Sequence, residues 1–172
     1  MLDSYYRAFI AEQRYLMYLD GLKMTLLVSL LAIILGVALG TILALMRMTA
    51  ERRGKSTLLS KIAYVYIDII RGTPTVTQLL IMYFVVLKGV DGLIVGTVTF
   101  GLNSAAYVAE IIRAGILAVD HGQMEGGRSL GLSYGQTMKD IILPQAVKNI
   151  LPALGNEFIV LIKETAILGY VS

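Results

Sequence analysis

The chain has 172 residues, of which 56% are hydrophobic and 16% charged, with 17 glycines and a formal net charge of +3. Soluble domains carry about 25% charged residues, so this composition, with a mean hydropathy of +0.73, argues for a membrane protein. The lack of cysteine excludes disulfide scaffolds, cysteine-held metals and thiol nucleophiles, the single His121 leaves little imidazole chemistry, and the basic excess lies beside apolar sequence rather than on a nucleic-acid-binding face.

From Met24 to Met46 the chain runs 23 residues without a charge. As a helix rising ~1.5 Å per residue, this exceeds the ~30 Å hydrocarbon core of a bilayer. The run is too long for the apolar core of a signal peptide, and Leu45-Met46-Arg47 offers no small-residue cleavage site. Gly36 and Gly40 form a step at which another helix can approach closely. The segment that follows sets Arg47, Arg52, Arg53, Lys55 and Lys61 against Glu51 alone, which places it in the cytoplasm by the positive-inside rule. The N-terminal segment balances Arg7, Arg14 and Lys23 against Asp3, Glu12 and Asp20, which fits an outside N-terminus. Gly54-Lys55-Ser56 has the ending of a phosphate-binding loop, but Thr49 stands where its first glycine belongs, so no nucleotide site is expected.

A second span is expected over about 62–87, broken at Arg71-Gly72-Thr73-Pro74, because proline has no amide hydrogen for the preceding turn. A third follows over about 92–119, and a fourth over 151–171. The fourth carries Glu157, Lys163 and Glu164, and a charge at the centre of a membrane helix costs at least ~2.5 to 3.5 kcal/mol. Such residues face a bundle interior or an aqueous cavity, so Glu157, Lys163 and Glu164, with Arg71 at the break, are the candidates for a substrate path. Asp68 with Arg71, and Glu110 with Arg113, are spaced for ion pairing on one helical face. The expected fold is therefore all-α: a polytopic transmembrane bundle of four spans, with a polar connection at 120–144 on the cytoplasmic side.

That connection holds the most specific pattern. Glu125 is followed after five residues by Gly131, then by nine residues and Ile141-Ile142-Leu143-Pro144. This spacing resembles the cytoplasmic loop of ABC importer permeases that carries Glu-Ala-Ala, three residues, Gly, nine residues and Ile-x-Leu-Pro. Arg71-Gly72-Thr73-Pro74, the run from Asn103 to Gly115, Gly122-Gln123, Leu151-Pro152, Gly155-Asn156 and Lys163-Glu164-Thr165 are similar to permeases of the polar amino-acid uptake family. The chain departs from the pattern at Gly126 and Gly127, where alanines are usual, and glycine makes a short helix less rigid there.

The resemblance implies a membrane subunit with no enzymatic chemistry, cofactor or metal of its own, in a bacterial cell membrane. Its partners would be an ABC ATPase subunit, a second identical or different permease subunit, an extracytoplasmic amino-acid-binding protein and membrane lipid. In the loop, Met124, Leu130 and Leu132 would supply an apolar plug to the ATPase and Gln123, Glu125 and Arg128 the orienting polar contacts. Gly131 would supply a turn with positive φ or a close approach. Those permeases run on to a further helix and a basic tail, so the chain is expected to lack its last span. A truncated assembly subunit that binds partners without completing a path is the alternative.

Overall fold

A computed structural model describes residue 6, residues 10–54 and residues 56–171, without the side chains of residues 12 and 51–53. Asp3, Arg7, Lys55 and the side chains of Glu12, Glu51, Arg52 and Arg53, all part of the charge reading, lie outside the described residues.

Helix α1 is a single rod over Arg14–Arg53, 40 residues, and contains the expected first span. After the turn, α2 runs over Leu58–Gly72. Its first turn is closed reciprocally: the Ser60 amide donates to Thr57 Oγ1 at 3.2 Å and the Thr57 amide to Ser60 Oγ at 3.1 Å. The chain then breaks at Thr73-Pro74 and resumes as α3, Thr75–Ile81, ending in a π-helical turn over Met82–Val86. Asp91 caps α4, Gly92–Leu117, by accepting from the Leu93 amide at 2.9 Å. The connection forms α5, His121–Ser129, and the short α6, Tyr134–Thr137, which passes through a π-helical turn at Met138–Ile142. It continues into α7, Leu143–Glu164, and a 3-10 stretch over Thr165–Tyr170.

Helix α4 is the central element, buried along most of its length, with α1, α2 and α7 packed around it. The close approach to α1 rests on glycine. A Cβ at Gly36 would lie 2.8 Å from Ser104 Oγ, and one at Gly40 would lie 2.8 Å from the Ala105 carbonyl oxygen. Around this seam, Val28, Ala32, Leu79, Val95, Phe100 and Leu161 form the main apolar core, and Ala44, Ile67, Ala106 and Ala109 a second. The Tyr66 hydroxyl ties α2 to α4 by donating to the Leu102 carbonyl at 2.7 Å.

The span count differs from the sequence expectation. Among the described residues α1 and α4 are each long and apolar enough to cross a membrane, and α2 with α3 makes a third only as a pair bent by 106°. The fourth expected span, 151–171, is not a helix of that kind. The observed helix starts earlier, at Leu143, carries Lys148, Glu157, Lys163 and Glu164, and tightens to 3-10 from Thr165. Four charges in one helix dilute its apolar character, so its place in the bundle comes from packing on α4.

Candidate transport path and coupling element

The break between α2 and α3 is built, not merely permitted. Pro74 removes the amide that would have served the Ile70 carbonyl, and within a membrane an orphan carbonyl costs several kcal/mol. Gln78, one turn beyond the break, replaces it. Its Nε2 lies 2.8 Å from the Ile70 carbonyl oxygen, 2.7 Å from Thr73 Oγ1 and 3.2 Å from the Thr73 carbonyl oxygen. Asn103, buried on α4, orients that amide by donating from Nδ2 to Gln78 Oε1 at 3.0 Å.

Beside this network lie two of the four candidate path residues. Glu157, buried on α7, accepts from Ser104 Oγ at 2.8 Å. Seven residues on, and so on nearly the same helical face, Glu164 accepts from Thr75 Oγ1 at 3.3 Å. The structure thus gathers Thr75, Gln78, Asn103, Ser104, Glu157 and Glu164 where α3, α4 and α7 meet the break. Lys163 is not brought in: it is exposed on a different face of α7. Arg71 is also apart, its guanidinium carbon 5.3 Å from the centroid of the Tyr107 ring. Sequence reasoning did not single out Gln78 and Asn103 for the path. The available signal was an amide four residues after the helix-breaking proline and another inside an apolar span.

The two charge pairs expected from spacing also part company. Glu110 pairs with Arg113 at 3.3 Å and, across the bundle, with Arg47 of α1, which also lies over the Tyr64 ring. Asp68 and Arg71 form no ion pair with each other.

At the other end of α7 the connection projects as a short unit. Asp120 caps α5 by accepting from the Gly122 amide at 2.7 Å. Gly127 is buried against α6: a Cβ there would stand 2.5 Å from Thr137 Cγ2, whereas one at Gly126 would meet open space. Gln123, Glu125 and Arg128 are exposed, and Leu130 is 83% exposed. Gly131 turns the chain at φ +85°. Arg128 reaches forward to donate to the Leu132 carbonyl at 3.0 Å and so braces the loop. Met124 does not sit on the outer face expected of it. It is half-buried and lines a 340 Å³ cavity with Met48, Ile116, Tyr134 and Met138, because Gly127 sets α5 down on its inner side.

A helical membrane bundle with a polar cluster at a broken span, joined through one helix to an exposed polar loop, defines the membrane subunit of a transport system. Residues 36–172 match the binding-protein-dependent transport system inner membrane components, and the chain belongs to that family of permeases. It is 47% identical over 153 residues to the arginine transport system permease protein of Bacillus subtilis, covering 87% of this chain and 68% of that one. It is 38% identical to the glutamine transport system permease protein of Escherichia coli strain K12, over 87% and 68% of the two chains. Among solved structures, an amino acid ABC transporter with histidines matches with a TM-score of 0.85 and 44% identity, over 95% of this chain and 76% of that one. A methionine ABC transporter in inward-facing form matches with a TM-score of 0.77 at 19% identity, a likeness of fold alone.

Proposed function

We propose that the chain is a permease subunit of an ATP-driven importer of polar amino acids, with ATP hydrolysed on a separate subunit. A second permease subunit would complete the path, and an extracytoplasmic binding protein would deliver the substrate. The observation that carries the substrate reading is the pairing of Glu157 and Glu164 on one face of α7. Two carboxylates against Asn103 and Gln78 favour a solute that brings amide-accepting and cationic groups. The relatives named for arginine and glutamine transport support the same solute class.

The coupling element of this reading is α5 and the turn after it, with Gln123, Glu125 and Leu130 presented to the ATPase. Arg128, Gly131 and Leu132 hold the turn, and Met124 anchors it from beneath. The charge balance of the loops supports a cytoplasmic position for this element and an outside N-terminus in the bacterial inner membrane.

The test is reconstitution in proteoliposomes with the ATPase and binding protein, following ATP-dependent uptake of a panel of amino acids. Glu164→Ala is expected to lower uptake and change its ranking while leaving membrane insertion intact. Unchanged kinetics would remove Glu164 from the path, and no ATP-dependent uptake of any amino acid would overturn the substrate reading.

A further inference from the structure

Asp68 and Arg71 have no ion-pair partner among the described residues. Asp68 and Arg71 lie on the C-terminal half of α2, Leu58–Gly72, about 10 and 13 residues from its start and just before the Pro74 break. Their three-residue spacing suits a pair, yet Arg71 lies instead over the Tyr107 ring, and Asp68 makes no hydrogen bond or ion pair among the described residues. Both are exposed on the bundle surface.

The two groups line a 210 Å³ cavity with Arg47, Tyr64, Ile67 and Glu110, room for about seven waters. Arg47 and Glu110 already satisfy each other, and Arg113 holds the second oxygen of Glu110. The unspent charges facing the cavity are therefore one carboxylate and one guanidinium, a complement to an ammonium and a carboxylate. The cavity is separate from the Glu157 and Glu164 cluster, shares no residue with it, and lies on the α2 side of the Pro74 break.

We propose that this cavity is a second binding station for the transported amino acid, with the α-ammonium on Asp68 and the α-carboxylate on Arg71. The inference rests on the amino-acid reading above and deepens it. Because both contacts go to groups that every amino acid carries, the station reads the zwitterion and ignores the side chain. Selectivity among amino acids then belongs to the acidic cluster and to delivery, and the second station retains the solute on its way past the break. A guanidinium gives a carboxylate two parallel hydrogen bonds, so the contact is directional as well as electrostatic.

Binding of radiolabelled arginine to the purified permease–ATPase complex without its binding protein tests this, alongside uptake in proteoliposomes. The wild type is expected to hold two arginines per permease chain, and Asp68→Asn or Arg71→Gln one. Each substitution is expected to lower uptake of every imported amino acid by the same factor, on the order of tenfold, the size of one lost charge-assisted hydrogen bond. Asp68→Glu, which restores the charge, is expected to recover both readouts, so misfolding is separable from lost binding. Glycine should displace arginine from this station, whereas agmatine, which lacks the carboxylate, should not. If the wild type imports amino acids and Asp68→Asn and Arg71→Gln change neither stoichiometry nor uptake, this station is overturned and the transport reading stands. If the wild type neither binds nor imports any amino acid, both fall.

Discussion

Ser104 of α4 donates from Oγ to Glu157 Oε1 of α7 at 2.8 Å, directly beneath the point where Gly36 of α1 presses on the same serine. One small side chain therefore serves two contacts, its Cβ the close packing on α1 and its hydroxyl the satisfaction of a buried carboxyl group. Ser104→Ala keeps the packing and removes the bond. It is expected to lower the thermal midpoint of the detergent-purified protein, by the equivalent of about 1 to 2 kcal/mol for an interhelical bond in a membrane protein. Glu157→Gln retains an acceptor for Ser104, so it is expected to spare the midpoint and reduce uptake at least tenfold, on the order of one charge-assisted bond. Equal stability losses in the two variants would contradict this division.

Gly126 and Gly127 should respond oppositely to alanine. A methyl group at 126 meets open space and gains the helix about 1 kcal/mol of propensity. A methyl at 127 meets Thr137, which is β-branched, buried, and held by its own bond to the Ser133 carbonyl at 3.0 Å. Gly127→Ala is expected to tilt α5 away from α6 and weaken ATPase association, and Thr137→Ala in the same chain to restore it. Co-purification of the ATPase with the four members of this cycle checks the coupling.

Gln78→Ala should destabilise the bundle by leaving the Ile70 carbonyl with only the 3.5 Å bond from Thr73 Oγ1, about 1 to 3 kcal/mol. The same substitution in a Pro74→Ala background is expected to cost much less, because alanine at that position supplies the amide that proline lacks. That background should also straighten the 106° bend and abolish uptake. Thermal unfolding of the single and double variants is the measurement; an additive result would mean that Gln78 does not serve the break.

Leu130 is exposed beyond the end of α5 and packs on nothing that folding requires. Leu130→Asp is expected to leave expression and thermal stability unchanged and to lower ATPase co-purification several-fold. ATP-driven uptake should fall in parallel.

Several features were legible in the chain because a single residue forces them. Pro74 cannot donate a helical bond, so the break was readable; carboxylates in an apolar run need polar company, so Glu157 and Glu164 were readable too. Gly131 announced its turn. What escaped depended on neighbours distant in sequence. Asp68 and Arg71 have pair spacing, but Tyr107, from another helix, takes the guanidinium. Lys163 is adjacent to Glu164, yet at about 100° per residue it falls on a different face. The sequence offers Met124 as part of the apolar plug, and only the burial of Gly127 against Thr137 shows which side of α5 faces in. The Asn103 and Gln78 bond joins residues 25 apart and has no local signature.

The hydrogen bond from Thr75 to Glu164 takes on a further meaning from where it sits on α7. Helix α7 has 22 residues with Pro152 inside it, grows directly out of the π-helical turn behind the proposed coupling element, and spans about 33 Å with that bond at its far end. A pivot of about 5° at the near end would carry the tip about 3 Å, enough to part a contact of 3.3 Å. Under the proposed coupling, a small angular input at the loop would be magnified into the making or breaking of a polar contact beside the broken span, as a balance beam turns a slight tilt into a readable deflection of its pointer.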